Sequence, residues 1–412
     1  MPLLTPALPA APYEHLTFAP VGTGLPKMHI QLPQRDAELA AGIVSSMVDR
    51  SAGPLPVLSN LLIEATGSGI VFRGTDMEAL VTVNTAGTIL QPGRTTVPAE
   101  TFRDIVKLMP ASSEIALIES GRKLSVVCES SDYKLMTLSA DDFPEFQTEP
   151  VVTRFQVTQK AFKSMIEATS YALPVRDHRR VLLGVNLEVF ENTLRMTATD
   201  GKKLARASVA VPEIEGNQKA TIVVPRKLLE NLKSSLHQEG PVDIEMSQRQ
   251  ISFRFANVHY RGNGIEGKYP DCDLVIPREF PQTIVINRDA FSRATRRAGI
   301  ITDRKTNPII LKFEQNQCSF SAMAHDVGNF MGKMTLDYSG PPMEMAFNYV
   351  FLLETLERFD QAELLMLVKS PTAPVVFRNR EDANRLSLLM PVKLSDIRPA
   401  VANDEESAGD EA

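Results

Sequence analysis

A strand-to-helix junction recurs three times along this 412-residue chain, and any fold proposed for it must contain that repetition. The junction reads Thr96-Val97-Pro98-Ala99-Glu100-Thr101-Phe102, then Val223-Val224-Pro225-Arg226-Lys227-Leu228-Leu229, then Ala346-Phe347-Asn348-Tyr349-Val350-Phe351-Leu352-Leu353. Val97, Val224 and Phe347 stand 127 and 123 positions apart. A second junction keeps the same beat at Leu32 (LPQRDAEL), Val157 (VTQKAF) and Ile286 (INRDAF), with steps of 125 and 129. Two independent markers with one period argue for three copies of one domain, in line with roughly 150 residues per domain. Similar modules joined head to tail build arcs or rings more readily than a single catalytic cleft.

Each copy reads twice as a strand, a short amphipathic helix and three strands, an α+β pattern. In the middle copy TRFQV is a strand, and the helix after it sets Phe162, Met165, Ile166 and Thr169 on one apolar stripe. VLLGVNLEVF, TLRMTATD and LARASVAV follow as strands, parted by turns at Glu191-Asn192 and Asp200-Gly201. Pro225 suits the first turn of the next helix, where a missing N–H costs nothing. Leu228, Leu229, Leu232 and Leu236 form its stripe; Phe102, Ile105, Val106 and Met109, and Leu352, Leu353, Leu356 and Phe359, form the matching ones. Helices of about three turns are unstable alone in water and must pack on the sheets. Proline-bearing linkers fall at 143–152 and 275–282. The expected borders are an N-terminal arm at 1–27, copies at 28–150, 151–279 and 280–394, and a tail at 395–412.

The arm has prolines and no periodicity and reads as disordered, or as an upstream start with Met28 opening the folded part. It lacks the basic start and apolar core of a secretory signal, and no apolar run reaches the ~20 residues of a membrane helix. Cys128, Cys272 and Cys318 are few, odd in number and scattered, which favours reduced thiols and a cytoplasmic location. The net charge of −6 is unevenly placed. From Ser395 to Ala412 six acids (Asp396, Asp404, Glu405, Glu406, Asp410, Glu411) face one base (Arg398), so −5 sits there and −1 on the rest. A near-neutral body can still present a basic face. The candidate lining is Arg103 and Lys107 in the first copy, Lys160, Lys163, Arg226, Lys227 and Lys233 in the middle one, and Arg293, Arg296 and Arg297 in the third. Any one such lysine can be a solvated surface group; recurrence across copies favours a phosphate-facing surface.

Ala198-Thr199-Asp200-Gly201-Lys202-Lys203-Leu204-Ala205 is, on physics alone, a tight Asp-Gly turn between strands. It also resembles the ATDG-x-x-LA stretch of the bacterial sliding clamps, the beta subunits of DNA polymerase III. Leu58-Ser59-Asn60-Leu61-Leu62, Gly74-Thr75-Asp76-Met77-Glu78, Asp142-Phe143-Pro144, Tyr269-Pro270-Asp271 and Leu389-Met390-Pro391-Val392-Lys393-Leu394 match in register, so the resemblance runs from about Met28 to Leu394. It implies a head-to-tail homodimeric ring of six similar domains, antiparallel sheets outside and helices inside, with duplex DNA held in the hole without regard to sequence. It implies no cofactor and no metal. Ring closure would use Tyr133 and Leu135 against Ile300 and Ile301, all four of which also read as ordinary core residues.

The resemblance further implies a peptide pocket between the second and third copies. Its residues would be Leu182, Thr199, Gly201, Lys202, Lys203 and Leu204, then Pro270, Leu274 and Val275. Asn348, Phe351, Thr372 and Pro374 would continue it, and Leu388, Leu389, Met390, Pro391, Val392, Lys393 and Leu394 complete it. Replicative polymerase, clamp loader and repair polymerases would compete for it through short motifs anchored by Leu and Phe. Leu182, Leu204 and Val275 read equally as core. Lys202 and Lys203 stand where the family commonly has His and Arg, and Leu274 where it often has Arg. Arg176, Arg179 and Arg180 resemble a DNA-contacting cluster, although family aromatics at the positions of Arg180 and Val181 are replaced. The acidic tail is not typical of the family.

An enzyme reading has less support. The chain has no glycine-rich phosphate loop, no zinc-spaced cluster and no HExxH helix, and its histidines (His15, His29, His178, His237, His259, His325) are dispersed. Asp76 and Asp200 recur at similar turns and read as turn residues, while Ala324-His325-Asp326 stands there in the third copy. A metal-dependent nuclease would gather several acids at one site. A ring that binds no DNA and a specialised second clamp with altered partners are the remaining alternatives.

Overall fold

Alternating apolar residues give way to a 3.6-residue period at each recurrent junction, so each becomes a strand that turns directly into a helix. The computed structural model describes residues 27–397 except 50, 52, 238, 304, 305 and 325. The expectations for the N-terminal arm before Lys27, for the tail beyond Ile397, and for His15 and His325 lie outside the described residues.

The chain divides into two units, residues 1–146 and 147–412. The first begins with β1 (Met28–Pro33), α1 (Gln34–Ser45), β2 (Asn60–Thr66), β3 (Gly69–Thr75), β4 (Ala79–Thr85) and the short β5 (Thr88–Gln91). It repeats the order with β6 (Gly93–Pro98), α2 (Ala99–Lys107), β7 (Glu114–Ser120), β8 (Lys123–Cys128) and β9 (Ser131–Met136). All pairs are antiparallel, in the orders β5-β1-β7-β8-β9 and β4-β3-β2-β6.

The second unit holds two further copies. The first is β10 (Thr153–Thr158), α3 (Gln159–Thr169), β11 (Gly184–Phe190), β12 (Thr193–Thr199), β13 (Lys203–Ala210) and the short β14 (Ile214–Gly216). Then come β15 (Ala220–Pro225), α4 (Arg226–Ser235), β16 (Pro241–Met246), β17 (Gln250–Phe255) and β18 (Val258–Asn263). The last copy opens with β19 (Gln282–Asn287), α5 (Arg288–Gly299), β20 (Pro308–Glu314), β21 (Gln317–Ala324) and β22 (Gly328–Thr335). It closes with β23 (Met343–Asn348), α6 (Tyr349–Leu356), β24 (Glu363–Val368), β25 (Val375–Asn379) and β26 (Arg385–Leu389). One eight-stranded sheet, β15-β11-β12-β13-β26-β25-β24-β19, joins these two copies through β13 and β26. The strands β14-β10-β16-β17-β18 and β22-β21-β20-β23 form the other arrays.

The helices of each copy pack in pairs, α1 on α2, α3 on α4 and α5 on α6. The second sequence marker has a physical cause here. Its first helical residue reaches the end of the copy's other helix every time. Gln34 Nε2 donates to the carbonyl of Val106 (2.7 Å), Gln159 Oε1 accepts from the N–H of His237 (2.9 Å), and Arg288 donates to the carbonyl of Phe359. Orphan groups at helix ends are thereby satisfied inside the fold. An aromatic pair then pins helix to sheet in every copy: Phe102 on Phe72, Phe162 on Phe253, Phe291 on Phe320.

Some details differ from the sequence reading. Pro225 is the cap before α4 rather than its first turn, because its φ of −58° and ψ of 142° still belong to β15; Pro33 and Pro98 do the same. The third copy uses Asn287 and Asn348, whose side chains accept helix N–H groups. Val181–Leu183 is not strand but a tight turn spanning Arg180–Leu183. Met109, Leu236 and Phe359 lie past the ends of their helices yet remain buried. The strands β5 and β14 are additions to the expected order.

Candidate functional site

The turn after β12 is built from its own polar atoms. Asp200 Oδ1 accepts from the N–H groups of Lys202 and Lys203 (both 2.8 Å), and the Thr199 hydroxyl donates to the carbonyl of Lys203 (2.8 Å). Gly201 supplies the positive φ of 86° that this turn requires. The turn after β3 repeats it bond for bond: Asp76 accepts from Glu78 and Ala79, Thr75 donates to the carbonyl of Ala79, and Met77 takes φ 75°. Both aspartates are used by their turns. Among the described residues no three His, Cys, Asp or Glu side chains come together as a metal site would need.

Beside this turn β13 pairs with β26, placing Lys203 opposite Leu389 and Leu204 opposite Leu388. The segment after β26 is then tied on both sides. Met390 N–H donates to the carbonyl of Lys202, and Val392 N–H to that of Ala346, each at 2.8 Å. Leu204, Leu388, Cys272, Leu367 and Val376 form an apolar cluster below, with Tyr269, Ile276 and Phe280 against it. Burial there pushes the Cys272 thiol up to about 11. Met390 and Val275 are exposed, while Phe351, Pro391, Val392 and Leu394 are half-buried. These residues leave apolar surface open above a fixed floor.

The sequence-expected residues are not all alike in this arrangement. Leu204 is a floor residue, and Leu182 is buried as well, each 1% exposed. Leu274 is 81% exposed at the end of a tight turn over Cys272–Leu274. That turn is held by Asp273, whose bond from Arg206 (2.6 Å) keeps its carboxyl below the usual range. Pro270 lines a separate cleft with Asn186, Thr221 and Arg206. Asn348 spends its side chain on α6, accepting from Val350 and Phe351 and donating to the carbonyl of Thr306. Thr372, Pro374, Lys202 and Lys203 complete the set; Thr372 and Lys202 face solvent, Pro374 is half-buried just before β25, and Lys393 is exposed.

Lys203 is the exception among the cations. It is 5% exposed, and its ammonium meets Glu354 Oε2 at 2.5 Å. It also lies over the rings of Phe351 (4.8 Å) and Tyr171 (5.4 Å). Arg358 covers Tyr171 from another side, and the Tyr171 hydroxyl donates to Ser387 Oγ at 2.8 Å. Burial raises the Tyr171 phenol above its ordinary value and keeps it a neutral donor. This network fixes the Phe351 ring from beneath. Tyr171, Glu354, Arg358 and Ser387 were missed by the sequence reading. One signal existed: Glu354 is the single acid in the apolar helix YVFLLETL, and an acid there needs a partner.

The helix-face cations behave differently. Arg103 meets Glu100 and Asp104, Arg226 meets Glu230 and the carbonyls of Leu173 and Pro174, and Arg296 meets Glu357. Lys163 donates to the carbonyl of Leu236. Arg179 pairs with Asp177 and holds its carboxyl well below the usual range. Lys107, Lys160, Arg176, Arg180, Arg293 and Arg297 are exposed, with no carboxylate at ion-pair distance among the described residues. Lys227 is exposed and Lys233 half-buried on α4.

The strands β9 and β22 are sheet edges among the described residues. β9 borders its sheet with Tyr133 43% exposed and Leu135 packed at 9%, so the latter is largely a core residue. β22 borders the other, near Ile300, which caps α5 at 76% exposed; Ile301 is half-buried. Gly299 allows this helix end to approach Tyr349, since a Cβ there would lie 2.4 Å from the ring.

Comparison with known proteins adds an independent line. Three family profiles match in order: the N-terminal, central and C-terminal domains of the DNA polymerase III beta subunit, over residues 40–147, 156–271 and 273–393. The beta sliding clamp of Pseudomonas putida is 30% identical over 374 residues, covering 89% of this chain and all of that one. That of Escherichia coli K12 is 27% identical over 344 residues, 82% of this chain and 93% of the relative. A crystal structure of the Pseudomonas aeruginosa clamp bound to griselimycin superposes with a TM-score of 0.86 at 27% identity, over 89% of this chain and 100% of the other. The Bartonella birtlesii clamp gives 0.85 at 28%, with the same coverage of this chain.

Proposed function

The chain belongs to the bacterial family of DNA polymerase III beta subunits, the DNA sliding clamps, and from that premise we propose how its own residues carry out the clamp's work. Two copies join head to tail, the β9 edge of one against the β22 edge and Ile300–Ile301 of the other, and enclose duplex DNA. The domains run 28–150, 151–279 and 280–394. Encirclement supplies retention, so contacts with DNA can be weak, mobile and blind to sequence. Exposed Lys107, Lys160, Arg176, Arg180, Arg293 and Arg297, with the paired cations around them, supply attraction to phosphates without a fixed register. The protein acts in the cytoplasm as a non-catalytic tether. Replicative polymerase, clamp loader and repair polymerases dock through short motifs whose Leu and Phe side chains enter the groove of Phe351, Met390, Val392 and Val275.

The observation that best supports this reading is the groove itself: an exposed apolar strip held rigid by backbone bonds to Lys202 and Ala346 close to the end of the family match. Rigid apolar strips are what an incoming peptide needs, because little ordering entropy is left to lose on binding. The ring is tested by retention on nicked circular DNA. Protein loaded by a clamp loader should stay bound at high salt and leave after linearisation. Equal release from circular and linear DNA at high salt would mark a charge-only binder and overturn the proposal.

A further inference from the structure

The first two copies cover the outer edge of their first strand to different lengths. In the first copy β5 pairs with β1 at His29, Ile30 and Gln31. The chain just before β5 lies so close that a Cβ at Gly87 would stand 2.6 Å from the carbonyl oxygen of Gln31. In the middle copy β14 pairs only with Thr153, Arg154 and Phe155 of β10. The position that corresponds to Gln31 is Gln156, since Leu32 and Val157 are equivalent in the repeat. No strand among the described residues pairs with Gln156, Val157 or Thr158 on that side. They line a cleft of about 770 Å³ instead. Asn217 N–H donates to the carbonyl of Val152 on the β14 side at 2.9 Å. Alternate residues of a strand turn their backbone groups to the same side, so those of Gln156 face the cleft. The opposite wall is the end of β13, where pairing with β26 stops at Ala207 and Val209 and Ala210 run on past it.

We propose that this cleft is a docking site for a basic, extended segment of a partner protein, which adds to β10 as a further strand beyond β14. The first copy shows what backbone fits: its own chain, extended, fills the matching place beside Gln31. The rim sets the charge. Glu213, Glu215 and Asp243 stand on the cleft against one cation, Arg154, which is already paired with Glu245 (2.7 Å) and Glu215 (3.8 Å). Backbone bonds to a strand edge supply the affinity, and alternate side chains supply the specificity. Pro241 and the half-buried Ala161 and Val209 give apolar walls on which every second side chain of the incoming strand packs. An exposed edge is otherwise a template for aggregation, and the acids restrict which chain can pair there. The same carboxylates repel DNA phosphates, so the cleft is no extension of the cationic helix faces. Nor is it the groove of Phe351 and Met390, neither of which lines it.

The test titrates the full chain with a fluorescein-labelled hexapeptide of alternating lysine and valine, read by anisotropy at low salt. The glutamate–valine counterpart should bind about 10-fold more weakly. N-methylation of the lysine peptide at alternate residues should abolish binding in at least one of its two phases, since it removes backbone donors and keeps the charge. Ala210→Trp, at an exposed wall position, should block the cleft. Glu213→Lys with Glu215→Lys, both at exposed positions, should reverse the preference between the two peptides. No binding of the lysine peptide, or equal binding of the two, overturns the site. Methylated peptides that bind as well as the parent in both phases mark charge attraction alone and overturn strand addition. Binding that survives both protein variants unchanged, or that a Leu/Phe-anchored peptide displaces, puts the probe elsewhere and overturns the assignment.

Discussion

The proposed peptide groove and the cationic helix faces both use lysine, under opposite constraints. In the groove a lysine is buried, paired and fixed: Lys203 holds Glu354 and two aromatic rings in one geometry. On the helices, lysines such as Lys107 and Lys160 stand exposed with no carboxylate partner among the described residues. A site that must recognise a side-chain pattern gains from pre-organisation. A surface that must let a polyanion move gains from having none. The difference lies in burial and partners, not in amino-acid type.

The comparison breaks first at the groove. Phe351→Ala with Met390→Ala should weaken binding of a Leu/Phe-anchored peptide roughly 100-fold, about 3 kcal/mol. Fluorescence anisotropy measures it, and retention on circular DNA should be unchanged; a parallel loss of DNA retention would show that the two regions are not separate. A smaller effect is expected from Lys203→Ala. It strands Glu354 and removes the support under Phe351, and should cost about 2 kcal/mol of stability, below the usual figure for a broken buried pair because Glu354 is 38% exposed. Urea denaturation reads this, with Lys203→Arg recovering part of the loss; a wild-type midpoint for Lys203→Ala would show that the network carries no stability. The smallest effect is the sharpest contrast. Lys160→Ala should lower affinity for linear duplex only a few-fold and reduce the slope of log affinity against log salt by about 1. Abolished binding would point instead to a fixed contact.

Local chemistry was legible in the sequence, and distant chemistry was not. The Thr-Asp turns at Thr75-Asp76 and Thr199-Asp200 follow from bonds two to four residues apart, and the helix stripes from periodicity alone. The period of the Gln34, Gln159 and Arg288 marker was visible, but its cause was not, because each side chain acts on a group about 70 to 80 residues away. Lys203 read as a turn residue beside Lys202. Only the arrival of α6, 151 residues later, buries one and leaves the other in water. The groove residues came from family likeness and not from pattern, and Asn348 shows the limit of that route: its side chain is spent on starting a helix.

The ladder that runs unbroken from β15 through β13 and β26 to β19 has a mechanical consequence. Flexing the chain between its middle and last copies would have to shear five residue pairs at once, from Lys203–Leu389 to Ala207–Arg385. That joint behaves as a stiff beam, not a hinge. In the proposed ring, strain imposed on the second unit would therefore be passed outward to its β22 margin, where the seam between two subunits would give way first.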